Sequence, residues 1–455
     1  MHSRALHILT TTATTVAAAT LLTSCGLPGF SDDVEPTDIA HAGAESHDPI
    51  EPSDTADADH PQYDTGSYKT QPAQGWNETS DQDGPTVEMA RIADNTLLPY
   101  EVDAALKTAT RVEYYDTPGK FAFDLNEGPI TALRELGSAF RIGYGVFAEA
   151  DDGRNASNIV IRFEDPEAAK VASDAIEKSF LTEGRSAPDE AGNSQPDQPV
   201  DIPGHPDAHA TLSSDGRTLS MLEIHNEYLM LVTAESDAET LDEGWQASYV
   251  AGFVDRQKPL LDTIPTKKTP AGYGFSNEWP PVDPDDILRF TLAHPTGEDE
   301  AETFSFTGAM NKRQMAGNYS DAPKMLNAID QANVEAMAQN QTRLFRTKNR
   351  ESAELIAATM KAARADGEVE FWDHPEGVPG VTCSTEFVDD MRTSYSCGLV
   401  YENYFATATI EETDFSAPGE TRVGDSEQTT QTDPKKQLAQ AMAAQYLILT
   451  QAPTK

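Results

Sequence analysis

Asn158-Ile-Val-Ile-Arg-Phe-Glu-Asp-Pro-Glu-Ala-Ala169 is the stretch that decides the fold, because it occurs twice. Its counterpart is Thr342-Arg-Leu-Phe-Arg-Thr-Lys-Asn-Arg-Glu-Ser-Ala353. Each reads as a strand that runs into a helix. Asp165 and Asn349 stand where a side chain caps the first turn, and Glu167 and Glu351 place negative charge there. Small residues, among them Ala168, Ala169, Ala172, Ala353 and Ala357, let each helix approach a sheet closely.

Working outward, further segments pair up at separations of about 175 to 190 residues. Ile202-Pro-Gly-His-Pro-Asp-Ala-His-Ala matches Glu376-Gly-Val-Pro-Gly-Val-Thr-Cys, with Pro206 opposite Pro379. His225-Asn-Glu-Tyr-Leu-Met matches Tyr401-Glu-Asn-Tyr-Phe-Ala. Asp215-Gly216 and Asp389-Asp390-Met391 mark the hairpin turns between them. Each copy closes on a helix, from Trp245 to about Leu261 and from Asp433 to Thr450, the latter with Pro434 at its first position and Leu438, Ala441, Met442 and Leu449 on one stripe. The lead-ins also look alike: Leu98-Pro-Tyr-Glu-Val-Asp against Trp279-Pro-Pro-Val-Asp-Pro-Asp. The pattern predicts an α+β protein of two similar domains, residues 86–265 and 266–455. Each is an antiparallel sheet with helices on one face and a β-α-β-β-α core.

The duplication gives two cysteines a place. Cys383 and Cys397 are symmetric about Asp390, so a hairpin turning there sets them face to face. Mapped onto the first copy they fall on Ala210 and Met221, themselves symmetric about Asp215-Gly216. A disulfide is expected, closing a loop of about 15 residues that contributes roughly 3 kcal/mol in the chain-entropy account. There is no Cys-x-x-Cys to suggest redox work.

The third cysteine has another role. An apolar run from about Ala5 ends in Leu22-Thr-Ser-Cys25, with Arg4 the only basic side chain before it. The run is shorter than the roughly 20 residues that span a bilayer and is broken by threonines. It reads as a cleaved signal, residues 1–24, and Leu22-Thr-Ser-Cys25 resembles the lipobox of bacterial lipoproteins, which implies a lipidated Cys25 that anchors the protein to the outer face of the cell membrane. Export agrees with one remaining cysteine pair. Residues 25–85 follow as an acidic tether; from Ser31 to Pro85 Lys69 is its only basic residue, and apolar side chains are too sparse to order it. His41, His47 and His60 lie among its carboxylates. The whole chain carries a formal charge of −43. Such a surface repels phosphate backbones, so nucleic acid is not an expected partner, and attachment to anionic lipid must come from the acyl chains.

Together these motifs resemble an actinobacterial family of lipoproteins, frequent in mycobacteria and corynebacteria, that has no assigned activity. The resemblance rests on the Leu-Thr-Ser-Cys box, Leu98 to Asp103, Phe163-x-Asp-Pro-x-Ala-Ala and Gly204-His-Pro-Asp-Ala. It also rests on Pro281-Val-Asp-Pro-Asp, the paired cysteines and the closing Ala-Ala-Gln-Tyr-x-x-Leu at Ala443 to Leu449. It implies a membrane-anchored two-part protein and carries no catalytic residue over.

No nucleophile elbow, metalloprotease box, phosphate loop or dinucleotide fingerprint is present. His205, Asp207 and His209, with Asp201 nearby, are weak candidate metal ligands on a loop, but the second copy has Val378 and Thr382 in place of the histidines. Asp283, Asp285 and Asp286 fit a turn and helix cap better than a calcium loop. His225 aligns with Tyr401 and reads as a strand residue, and Trp245, Trp279 and Trp372 read as core pieces. The expectation is a non-enzymatic protein without cofactor that binds an envelope ligand or protein, with a groove between the two copies. The competing class is an envelope hydrolase acting on glycan or lipid through paired acidic residues.

Overall fold

The computed structural model describes residues 63–75, 84–125, 128–185, 195–236, 243–264, 281–293, 306–364, 369–372, 377–389, 392–413 and 433–454. The first half comprises helices α1 (Gly84–Asp94) and α2 (Pro99–Val102), strand β1 (Thr108–Tyr115), and helices α3 (Pro118–Phe123) and α4 (Ile130–Glu135). It continues with β2 (Phe140–Glu149), β3 (Arg154–Phe163), α5 (Pro166–Thr182) and β4 (Gln198–Pro199). β5 (His209–Leu212), β6 (Thr218–His225), β7 (Tyr228–Ser236) and α6 (Glu243–Leu261) complete it. The second half has β8 (Gly308–Met310), α7 (Lys312–Gly317), α8 (Ala322–Gln331), β9 (Val334–Gln339), β10 (Arg343–Thr347) and α9 (Arg350–Arg364). Then come β11 (Val369–Trp372), β12 (Val381–Asp389), β13 (Arg392–Tyr401), β14 (Tyr404–Thr413) and α10 (Pro434–Leu449).

Each half folds into a seven-stranded antiparallel sheet, and the two strand orders are the same. The first runs β1-β2-β3-β7-β6-β5-β4 and the second β8-β9-β10-β14-β13-β12-β11. The repeat holds at single residues. Asp165 Oδ1 caps α5 by accepting from Ala168 N at 2.9 Å, and Asn349 Oδ1 caps α9 by accepting from Ser352 N at 2.9 Å. Asn226 and Glu402 both hold φ near +50°, which the two-residue turns joining β6 to β7 and β13 to β14 require. Ala210 and Met221 pair directly across β5 and β6, as the disulfide-bonded Cys383 and Cys397 pair across β12 and β13.

A buried glutamine ties the lead-in of each half to its closing helix. Gln257 on α6 accepts from Leu97 N at 2.9 Å and donates to Asn95 O at 2.5 Å. Gln445 on α10 accepts from Leu292 N at 2.9 Å and donates to Phe290 O at 2.8 Å. The equivalent lead-in residues are therefore Leu97 and Leu292. This corrects the pairing of Leu98-Pro with Trp279-Pro, and Trp279 lies outside the described residues.

Helices cover both faces of each sheet, where the sequence pattern placed them on one. Every residue from Ala156 to Phe163 in β3 is buried. Ile159, Ile161 and Phe163 point into the core under α5, whereas Val160 points into the core under α6. In the second half Phe345 meets Ile356 and Met360 of α9, and Leu344 meets Leu438 and Met442 of α10. An apolar run without alternation is the mark of a strand buried on both sides, and that feature outweighs the polar residues flanking it.

The halves are joined by one core. Residues of the α6 face, such as Met230 and Phe253, belong to the same apolar cluster as Met315, Met325 and Ile356 of the second half. Tyr114 and Phe306 stack at 5.4 Å across the junction. A Cβ on Gly317 would stand 3.0 Å from Tyr144 Oη and 3.2 Å from Leu98 Cδ2, so α7 packs closely on the first sheet there. The polar part of the junction is α1 together with α2. Asn311 Nδ2 donates to Ala90 O at 3.1 Å, and Arg313 donates to Glu101 at 2.9 and 3.1 Å.

α1 is itself fixed by a buried charge. Arg162 of β3, fully buried, pairs with Glu88 of α1 and, at 2.7 Å, with Glu227 of the β6–β7 turn. Its guanidinium lies 4.9 Å from the Tyr228 ring centroid. Burial pushes the Glu88 carboxyl above its ordinary range, and Arg162 and Arg91 pull it back in part.

The acidic segment ahead of the first repeat is ordered where it carries tyrosines, against the expectation of disorder through Pro85. Residues 63–75 lie on the second half: Tyr63 OH donates to Gly377 O at 3.0 Å and its ring meets Tyr446 edge-on at 5.7 Å. Tyr68 is buried and its hydroxyl accepts from Gln341 at 3.0 Å, while Gln440 donates to Asp64 at 2.9 Å. Two aromatic side chains supply the apolar area that the average composition hid. Pro85 lies in α1. Residues 1–62 and 76–83, with Cys25 and the three tether histidines, lie outside the described residues.

Two outcomes are expected. Replacing Cys383→Ala with Cys397→Met transplants the first copy's pair, and stability should fall by about 3 kcal/mol with the circular dichroism spectrum unchanged. A reductant should then shift unfolding of the parent chain and leave the variant unmoved. Arg162→Met strands two buried carboxylates and should destabilise by about 3–5 kcal/mol at neutral pH. A buried carboxyl raised above its unfolded value binds extra protons in the folded state, so its stability contribution grows as pH falls through the raised value. The variant should therefore regain stability relative to the parent on acidification, followed by thermal unfolding across pH.

Candidate functional site

A cavity of about 490 Å³ lies on the α5 face of the first sheet. Cross-strand register builds its floor. Phe147, Ser157, Thr233, Ser220 and Thr211 are successive partners across β2, β3, β7, β6 and β5. Strand side chains alternate between faces, so rows two residues apart share a face. One row inward lie Ile159, Leu231 and Leu222, in the apolar core under α5. One row outward lie Asn155, Glu235 and Thr218. The face thus grades from apolar to hydroxyl to charged as it leaves the helix.

The end of α5 makes one wall. Gly184 turns the chain back with φ +76°, and a Cβ there would meet Gln195 O at 1.8 Å, so the turn requires glycine. Arg185 follows, with Nε donating to Asp197 at 2.6 Å, Nη1 to Ser220 and Nη2 to Thr211 O at 3.1 Å. Its guanidinium lies 4.4 Å from the Phe180 ring centroid. Burial pulls the Arg185 guanidinium below its ordinary range, and the Asp197 carboxylate opposes that pull. Asp215 caps the β5–β6 turn, accepting from the Ser213 hydroxyl at 2.6 Å and Arg217 N at 3.1 Å. Partial burial works against its ionisation, yet these donors bring its carboxyl below the ordinary value. On the far side Asp124 accepts from Tyr115 OH at 2.6 Å and Arg111 at 2.9 Å.

The second half repeats the floor. Ser384, Ser396 and Thr409 are successive partners across β12, β13 and β14. Ser396 and Thr409 hydroxyls lie 2.9 Å apart, as Ser220 and Thr233 hydroxyls lie 3.0 Å apart. Ser394 and Glu411 form the outward row where Thr218 and Glu235 stand in the first. A cavity of about 260 Å³ opens over it, walled by Asp321, Lys324 and Arg343.

The junction, which the duplication suggested as the ligand groove, is filled by the shared core. Beside it a cavity of about 260 Å³ lies between α1 and the Phe306–Asn311 stretch. The candidate metal ligands have separate partners. His205 Nδ1 meets Glu223 at 2.7 Å, His209 Nδ1 meets Glu177 at 2.6 Å and Asp207 is exposed. No group of three His, Cys, Asp or Glu suited to a metal converges among the described residues. His225 Nε2 meets Asp262 at 2.6 Å. Asp283 accepts from Ile287 N and Leu288 N at 2.9 and 2.7 Å, the cap reading. Trp245 Nε1 donates to Asp103 at 2.8 Å. Trp372 lies in the edge strand β11 with Lys435 over its ring at 5.5 Å. The hydroxyl rows went unread in the sequence, although Thr218/Ser220 and Ser394/Ser396 alternate in matching hairpins.

The fold and the two troughs define a duplicated α+β protein with a hydroxyl-floored cavity over the same sheet face of each half. The chain belongs to the DUF7373 family: the N-terminal domain of unknown function matches residues 75–271 and the C-terminal one residues 288–414. Among solved structures, the extracellular domain of PknH from Mycobacterium tuberculosis is similar at 13% identity, over 42% of this chain and 99% of that one, with a TM-score of 0.26. No curated protein matches the chain. No helix among the described residues is long and apolar enough to cross a membrane.

Proposed function

We propose that this is an extracytoplasmic lipoprotein, anchored through Cys25, that binds a small polar ligand in the first trough and catalyses no reaction on it. The observation that carries the binding reading is the duplicated hydroxyl row, which lies under an open cavity in both halves. About 490 Å³ falls within the ~300–1,000 Å³ span of small-molecule sites. Its polar side chains converge from four strands and a helix end, so a ligand would meet a surface that the sheet has pre-formed. The anchoring reading is supported by Leu22-Thr-Ser-Cys25 at the end of a short apolar run.

One preparation tests both parts. The chain is extracted from its native membrane, phase-separated in detergent and analysed by native mass spectrometry. Cys25→Ser should move it to the aqueous phase, and the parent chain should carry a small molecule that Ser157→Phe, which fills the trough, lacks. A parent chain with no copurifying ligand would overturn the binding reading, and an unchanged partition of Cys25→Ser would overturn the anchor.

A further inference from the structure

Charge balance in the trough points to the class of ligand. Three carboxylates, Asp124, Asp215 and Glu235, stand against two guanidinium groups, Arg185 and Arg217. The second trough has other residues in the same proportion: Asp321, Glu386 and Glu411 against Lys324 and Arg343. On a chain with 76 acidic and 33 basic residues these are two nearly balanced places. Most of the first trough's charges are also engaged within the protein. Asp124 is held by Arg111 and Tyr115, Arg185 by Asp197, and Asp215 by Ser213 and the Arg217 amide. Arg343 donates to Gln339 at 2.8 Å and lies 5.2 Å from the Tyr319 ring centroid.

An ionic ligand would need an opposite charge that is not already answered, because a desolvated charge without its partner costs several kcal/mol. The aromatic walls are occupied as well. Arg111 sits 3.8 Å over the Phe147 ring and Arg185 4.4 Å over that of Phe180, which closes those faces to stacking by a flat apolar ligand. The groups left to recognise a ligand are the hydroxyls of Ser157 and Thr218 and the amide of Asn155, with Thr233, whose hydroxyl also meets that of Ser220 at 3.0 Å, offering its remaining hydrogen-bonding capacity. Hydroxyls donate and accept with equal ease, so a row of them suits a partner that does the same.

We infer that the first trough takes a neutral, hydroxyl-rich ligand of the size of one or two sugar rings. The inference rests on the binding reading above and narrows it. The smaller second trough carries the same floor and admits less of such a ligand.

The test uses the full-length chain in detergent with maltose, glucose, glucuronic acid and glucosamine as probes. Saturation-transfer NMR reads contact and calorimetry reads affinity. Maltose or glucose should bind about tenfold or more tightly than the charged sugars. Ser157→Ala combined with Thr233→Val should weaken the neutral sugar by about tenfold or more, with the melting temperature retained. Should the double variant lose its fold, Asn155→Ala at the mouth should weaken the same probe. Charged sugars that bind as well as neutral ones, a neutral sugar indifferent to these variants, or no binding by any of the four would overturn the assignment. If native mass spectrometry then finds a charged or acyl ligand that Ser157→Phe releases, the ligand class fails while the binding function stands. If it finds none, both fail.

Discussion

Arg162 is the constraint on which the arrangement of the two halves depends. Its guanidinium is fully buried on the α6 face of the first sheet, and a charge so placed must be answered by the side chains around it. Glu227 comes from the neighbouring turn, but Glu88 comes from α1, a helix far back along the chain. Satisfying Arg162 therefore positions α1 across the sheet. α1 and α2 then offer Ala90 O and Glu101 to Asn311 and Arg313. The second half is thus docked on a surface that the buried charge has fixed. Apolar packing between the halves supplies most of the driving force, whereas the ion pairs set the register.

The second copy solves the same positions differently, and the differences follow from what each copy must hold. Its Arg346 stands where Arg162 does, yet it donates to Asp285 O at 2.8 Å from the side of a short helical turn, Leu288–Phe290. Among the described residues no long helix lies there, and Asn403 replaces Glu227, donating to Thr347 O at 3.1 Å. The cysteine pair shows the reverse. Ala210 and Met221 lie in the core that both halves share, packed from two sides. Cys383 and Cys397 lie in the outer core under α10, further from the junction. What is common to both copies is the glutamine of the closing helix and the caps of α5 and α9, which serve each half from within.

Much of this was legible in the sequence, because it is written in local chemistry. The Asp165 and Asn349 caps, the paired turns and the cysteines opposite Ala210 and Met221 are each fixed by a few adjacent residues, and a repeat doubles the signal. What was not legible depends on long-range register or on a partner far along the chain. Glu88 meets Arg162 from 74 residues away, and no spacing rule connects a helical glutamate to a strand arginine. Helices on both faces could have been read from the unbroken apolar run of Ile159 to Ile161, had it been weighed above its polar neighbours. The ordering of residues 63–75 turns on Tyr63 and Tyr68, two side chains that a composition average dilutes. The trough was missed for a related reason. Serine and threonine carry no motif, and the row forms only once five strands align.

The unequal size of the two troughs has a structural cause. β3 spans ten residues and carries Ser157 and Asn155 beyond Ile159, so the hydroxyl row crosses the middle of the first sheet. β10 spans five and begins at Arg343, the position of Ile159, so the second row stops at Thr409. Arg343 lies beneath Tyr319, and the turn from α7 to α8 brings Asp321 and Lys324 over the missing part of the strand. That same turn docks on the first half, where Ala109 N donates to Ser320 O at 2.8 Å. The junction and the second trough thus draw on one loop. Closing the halves together narrows the second site and leaves the first, on the opposite face of its sheet, open. The docking of the two copies thus accompanies one roomy site of about 490 Å³ and one restricted site of about 260 Å³ over the same kind of floor.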